Sequence, residues 1–249
     1  MATLKGRKIV VLGASRGVGR EIVRRACKDG ARVLAVARGQ ESLDELAKGT
    51  SGVETLCLDA ATEEAPSRVF GKMRPDVLVV CGGALPSASP IHELTWQQFE
   101  ANWQTDVKMS FLFCREALQM PLQPGATVIL ISSGAALGGS PISGGYAGAK
   151  RTQMFIANYG QKESDRLGLG LRFIALLPAR IMPQTELGRR AVDGYARYLR
   201  MSASDFIQGM SSPQSPEDVA NAVAELAGNP AAHQGTLFTI SGDGISSAS

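Results

Sequence analysis

Gly13-Ala14-Ser15-Arg16-Gly17-Val18-Gly19 is the stretch on which the reading of this chain turns. The apolar run Ile9-Val10-Val11-Leu12 precedes it and reads as a buried strand. From Arg20 to Lys28 the apolar residues Ile22, Val23 and Ala26 recur at helical spacing. A strand, a glycine-rich turn and a helix in that order form a corner suited to phosphate. Gly13 permits the sharp turn, Gly17 lets a pyrophosphate approach the backbone, and Gly19 lets the helix pack close to the strand. Free N–H groups and the positive end of the helix dipole then face the anion. The spacing is G-x-x-x-G-x-G, wider between its first two glycines than the common dinucleotide fingerprint. Alone, it also fits an ordinary strand-to-helix turn.

Outward from that corner, strands and helices alternate. Strands are expected at Arg32–Ala37, Val53–Leu58, Val77–Val80, Thr127–Ile131, Leu171–Leu177 and Leu237–Ile240. Short helices are expected through Leu43 and Leu46 and over Glu63–Met73. Thr95 can cap one long helix that Pro121 ends, a second covers Tyr146–Leu167, and a late helix begins at Pro216. Near-continuous apolar strands between helices imply an α/β Rossmann fold: a seven-stranded parallel sheet covered on both faces. The 249 residues fit a single such domain, 1–249, with no internal repeat.

Composition removes several function classes. A formal charge of +3, without a basic run carrying interleaved aromatics, argues against nucleic acid as partner. No apolar run approaches the ~20 residues needed to span a membrane. Cys27, Cys57, Cys81 and Cys114 are scattered without metal-site spacing, so reduced cysteines, no metal and a cytoplasmic location are expected. Met1 to Lys8 is short and polar, unlike a secretory signal. The interval 180–212 breaks the alternation. It carries Arg180, Arg189, Arg190, Arg197 and Arg200 together with Met182, Tyr195, Tyr198 and Phe206. An insertion after a strand's C-terminal end is where open α/β sheets place substrate lids; a solvated helical excursion is the other reading.

Tyr146 and Lys150 are four residues apart and share one helix face, and Ser133 lies thirteen residues before Tyr146 at the end of a strand. A phenol beside an ammonium and a hydroxyl suits proton transfer to a carbonyl oxygen. Tyrosine ordinarily titrates near 10, and a neighbouring cation favours its ionised form.

With these residues in order, the chain resembles the short-chain dehydrogenase/reductase family over essentially its whole length. Asp59 follows the third strand where the family contacts adenine, and Cys81-Gly82-Gly83-Ala84 stands where it usually has Asn-Asn-Ala-Gly. Pro178-Ala179 and Thr185 resemble the turn and threonine at the nicotinamide end, and Ser241-Gly242-Asp243-Gly244 resembles the C-terminal glycine turn. The resemblance implies that Tyr146 is the acid/base, that Lys150 holds the nicotinamide ribose and biases Tyr146, and that Ser133 orients the substrate oxygen. It implies cofactor contacts from Gly13, Ser15, Arg16, Gly17, Val18 and Gly19, from Arg38, Asp59 and Ala60, from Gly82 and Gly83, and from Pro178, Ala179 and Ile181. It also implies a small-molecule carbonyl or alcohol substrate and a homodimer or homotetramer built on the two long helices.

Two departures stand out. Asp106 falls where the family often has an asparagine, so it joins Ser133, Tyr146 and Lys150 as a catalytic candidate. It can compete for Lys150 or relay protons itself, and Asn102, one turn earlier, can face inward instead. The Cys81–Ala84 loop loses two asparagine side chains that brace the central strands. As to cofactor, NAD-selective enzymes carry an acid at the end of the second strand. Here that strand ends Val36-Ala37-Arg38, and Arg38 and Arg16 can both reach a 2′-phosphate. The leading expectation is an NADP(H)-dependent carbonyl reductase or alcohol dehydrogenase. A dinucleotide-binding regulator without turnover, and an epimerase or dehydratase on the same scaffold, are the alternatives.

Overall fold

The computed structural model describes residues 4–210 and 214–248. The first half runs β1 (Lys8–Leu12), α1 (Gly17–Lys28), β2 (Arg32–Ala37), α2 (Gln40–Lys48), β3 (Val53–Cys57), α3 (Ala65–Lys72) and β4 (Val77–Val80). After a loop come α4 (Trp96–Asn102), a π-helical turn (Trp103–Val107) and α5 (Lys108–Gln119), then β5 (Thr127–Ile131) and α6 (Ala135–Gly138). The chain continues through α7 (Gly145–Leu167), β6 (Arg172–Pro178), α8 (Glu186–Leu199), α9 (Ala203–Gln208), α10 (Pro216–Gly228), β7 (Leu237–Ser241) and β8 (Gly244–Ser247).

The sheet order is β3-β2-β1-β4-β5-β6-β7-β8. β1 lies between β2 and β4, so the chain reverses its direction of travel across the sheet at that point. A crevice opens at the carboxyl ends of strands flanking such a reversal. Strand residues are apolar on both faces because both faces are covered. In β1, Ile9 and Val11 enter one core with Ile22 and Val23 of α1 and Val219 of α10. Val10 and Leu12 enter the other, with Phe113 of α5 and Met154 of α7.

Three expectations need correction. The sheet has eight strands rather than seven, and β8 pairs antiparallel with β7. Ser241-Gly242-Asp243-Gly244 forms the tight turn between them, with Gly244 at φ +101. The long helix capped by Thr95 runs unbroken from Trp96 to Gln119 but is not α-helical throughout. Its capping box with Gln98 forms, but the ladder widens into the π turn at Trp103–Val107. Finally, α1 starts at Gly17 rather than Arg20, so the last two motif glycines belong to its first turn. The interval after β6 folds as α8 and α9; positions 211 and 212 lie outside the described residues.

Candidate active site

The glycine corner is built as its composition demands. Gly13 has φ +78 and donates its N–H to the Val36 carbonyl at 2.9 Å. A Cβ there would collide with the Gly82 backbone on β4's outgoing loop, and a Cβ at Gly19 would fall on the Gly13 carbonyl. Gly17 differs: at φ +52, its nearest neighbour for an added Cβ is the Thr185 methyl at 3.7 Å. No side chain caps the N-terminus of α1. Its first N–H groups therefore face a cavity of about 890 Å³ at the carboxyl end of the sheet. Open backbone donors and a glycine without obstruction fit a dinucleotide's pyrophosphate.

Every site residue singled out in the sequence lines this cavity. Asp59 sits just past β3, where its carboxylate accepts the Ala61 N–H at 3.0 Å, with Ala60 beside it. Arg38 directly follows β2 and is exposed, and Arg16 pairs with Glu186 at the start of α8. Gly82 and Gly83 form the wall beyond β4, and Pro178, Ala179 and Ile181 form the one beyond β6. Thr185 caps α8 by accepting the Gly188 N–H at 2.9 Å. Its helix roofs the cavity: Leu187, Ala191 and Tyr195 line it, and Arg197 donates to the Ala88 carbonyl at 3.1 Å.

Ser133 follows β5, and its hydroxyl accepts the Ala135 N–H at 3.2 Å. Tyr146 and Lys150 lie one turn apart on α7, with the lysine nitrogen 5.6 Å from the phenol ring's centre. Lys150 is buried. Its Nζ donates to the Ile131 carbonyl and to Asp106 Oδ2, both at 3.1 Å. Ser132 fixes the helix from the strand side by donating to the Lys150 carbonyl at 2.7 Å.

Asp106 and Asn102 both face inward, each 1% exposed. Asp106 Oδ1 accepts the Ala84 N–H at 3.0 Å, the Thr105 hydroxyl at 2.8 Å and the Asn102 amide at 3.2 Å. Asn102 also donates to the Ala84 carbonyl at 2.8 Å. The end of α4 and the π turn that follows it present Asn102, Thr105 and Asp106 to the Gly83–Ala84 loop; such turns recur at functional sites. Thr105 and Glu186 are the contributors that spacing alone did not single out, and Asp106 and Asn102, given as alternatives from the sequence, both face inward. The N–H deficit of a widened helical turn has no sequence signature.

Burial opposes the charge on Lys150, but the Asp106 carboxylate, Tyr146 and the hydrogen bond to Asp106 outweigh it and hold the lysine above its ordinary range. Cys81, at the end of β4, is only partly shielded as a residue, yet its surroundings push the thiol up to about 12. Burial is the main cause, with Lys150 opposing and Asp106 adding to it. Among the described residues, no three His, Cys, Asp or Glu side chains are grouped to hold a metal ion. No helix among them is long and apolar enough to cross a membrane.

Residues 7–191 match the family model described as short chain dehydrogenase. L-xylulose reductase of Bos taurus is 37% identical over 105 residues, 42% of this chain and 43% of that protein. Carbonyl reductase [NADPH] 2 of Sus scrofa is 28% identical over 130 residues, 51% of this chain and 53% of that protein. The chain thus spans about half the length of these relatives. A solved short chain dehydrogenase from Salmonella enterica serovar Typhi shares the fold, with TM-score 0.76 at 21% identity, over 96% of this chain and 98% of its own.

Proposed function

Since this chain belongs to the short-chain dehydrogenase family, we propose that it is an oxidoreductase that interconverts a small-molecule carbonyl and a secondary alcohol with NADP(H). The observation that carries this reading is the placement of Tyr146 and Lys150 on the wall of the cavity onto which the glycine corner opens, with Ser133 on the same wall. The nicotinamide, when bound, supplies or accepts the hydride. The protein's part is positioning and proton transfer. Gly13, Ser15, Gly17, Val18 and Gly19 receive the pyrophosphate. Arg16 and Arg38 take the 2′-phosphate, Asp59 and Ala60 flank the adenine, and Pro178, Ala179 and Ile181 hold the nicotinamide end. Ser133 donates to the substrate oxygen and Tyr146 gives it a proton during reduction, or removes one during oxidation. Lys150, held on two sides, keeps one N–H for the ribose.

The relatives named as reductases support this direction of chemistry, and the name of the porcine enzyme supports NADPH. The segment 180–212 serves as a substrate lid, since α8 already roofs the cavity. Trp96, Phe111, Phe155 and Tyr159 leave large aromatic surfaces exposed on α4, α5 and α7, which supports a homo-oligomer built on those helices.

The test is NADPH oxidation against ketones, quinones and thioester-linked 3-oxoacyl compounds, with wild type and Tyr146→Phe. Turnover by wild type and its loss in Tyr146→Phe, with cofactor affinity nearly unchanged, is expected. Near-wild-type activity in Tyr146→Phe on the true substrate overturns the mechanism. One observation favours a second reading, a dinucleotide-binding regulator: Asp106 draws directly on Lys150. Cofactor binding without turnover across the whole screen would select it.

A further inference from the structure

We infer that Gly83 and Asp106 form one unit of this site: the glycine makes room for the Asp106 carboxylate, and the carboxylate is a positioning residue that anchors Lys150 and sets the pH dependence of proton transfer. The catalytic half of this inference rests on the oxidoreductase reading above; the steric half does not.

Gly83 is not required by its backbone. Its φ lies outside the left-handed region, so other residues could adopt the same conformation. Space is the constraint. An added Cβ would sit on Asp106 Oδ2 and within 2.7 Å of its Cγ and Oδ1, and these are the three nearest atoms. A side chain at 83 and a carboxylate in this position at 106 therefore exclude each other. The neighbouring Gly82 faces a different demand, the Met109 side chain and the Gly13 backbone.

The carboxylate admitted by Gly83 has a divided role. Oδ1 is occupied by Ala84, Thr105 and Asn102, which fix its plane. Oδ2 is left for Lys150 at 3.1 Å. An asparagine cannot do both. With its oxygen kept on the three donors, its NH₂ would face the ammonium, donor against donor. Only the acid accepts on both sides, so Asp106 orients the lysine as well as balancing its charge.

That balance reaches Tyr146. The groups facing Lys150 are Asp106 from the π turn, Tyr146 from its own helix and the Cys81 thiol just past β4; β5 contributes the Ile131 carbonyl. The thiol is uncharged through neutral pH. The phenol thus faces an ion pair rather than a lone cation.

The experiment uses the full chain and the variants Asp106→Asn, Gly83→Ala, Asp106→Ala and the Gly83→Ala/Asp106→Ala double. In alcohol oxidation, Asp106→Asn is expected to move the rising limb of the pH–kcat profile to lower pH, because it removes the carboxylate paired with Lys150. Gly83→Ala, which dislodges the carboxylate, should move it the same way. A limb left in place in an active Asp106→Asn overturns the catalytic half, even if stability falls. Thermal melting needs no turnover. Gly83→Ala should lower Tm in the native background and leave it unmoved when Asp106 is already alanine. Equal losses of Tm in both backgrounds overturn the steric coupling. Should wild type reduce no carbonyl at all, the catalytic half falls with the functional reading, while the melting cycle still decides the coupling of the two positions.

Discussion

Replacing Arg38 by alanine is expected to remove most of a preference for NADPH over NADH, and the structure allows the contributions of the two candidate arginines to be separated. Arg38 is exposed at the end of β2, has no ion pair among the described residues, and has no acid beside it on the strand. A charge-assisted hydrogen bond contributes about 1.5–3 kcal/mol, so Arg38 on a 2′-phosphate adds roughly 2 kcal/mol. Arg16 is not free in the same way. It pairs with Glu186, and both side chains are well exposed. Such surface pairs are worth about 0–1 kcal/mol, so a phosphate that recruits Arg16 gains roughly 1 kcal/mol after displacing Glu186.

Together the arginines supply about 3 kcal/mol, a preference of roughly a hundredfold. Arg38→Ala should then weaken NADPH about 30-fold and Arg16→Ala about fivefold, and the double variant should bind both cofactors alike. NADH affinity should stay near wild type in all three. Glu186→Gln should tighten NADPH by up to about fivefold, because it removes the carboxylate competing for Arg16. Titration of both reduced cofactors by nicotinamide fluorescence measures all of these. Equal affinities in wild type, or a preference that survives the double variant, refute the assignment. A Glu186→Gln chain that binds NADPH no better removes Arg16 from it and leaves Arg38 alone.

Two further outcomes follow from the packing. Gly19→Ala and Gly145→Ala place a Cβ on the carbonyls of Gly13 and Phe99 respectively, so each should cost about 1–3 kcal/mol, whereas Gly71→Ala, in an open position on α3, should be neutral or stabilising. Melting temperatures that fail to separate the first two from the third would contradict the close backbone approaches. Light scattering should find wild type oligomeric and Phe111→Glu/Phe155→Glu dissociated, because the two exposed rings stand on the proposed contact helices; a monomeric wild type at micromolar concentration would remove that interface.

How far the sequence carries depends on whether a residue's task is local. Gly13, Gly17 and Gly19 are legible because a turn, an open approach and a close helix–strand contact each require glycine within seven residues. Ser133, Tyr146 and Lys150 are legible because one strand, one loop and one helix place them together. The eighth strand is not, since Ile245-Ser246-Ser247 is too short and polar to stand out beyond its Gly-Asp turn. Arg16 invites assignment to phosphate, but its partner Glu186 lies 170 positions away. The π turn is hidden for the same reason: Asn102, Thr105 and Asp106 bond to Ala84, and no period within the helix registers that pull.

The two departures from the family pattern show what the third dimension adds. In sequence, the Cys81–Ala84 loop is a loss of bracing amides and Asp106 is a competitor for Lys150. They sit more than twenty positions apart, with nothing to connect them. In the fold, the carboxylate reaches Lys150 through the space where a side chain at 83 would stand, and its other oxygen takes the N–H of Ala84. Asp106 and Asn102 therefore brace this loop from the helix, through Ala84, without side chains from the loop itself. Gly83 leaves the space that the Asp106 side chain fills, so a side chain added at 83 should be tolerated only when the one at 106 is cut back to alanine.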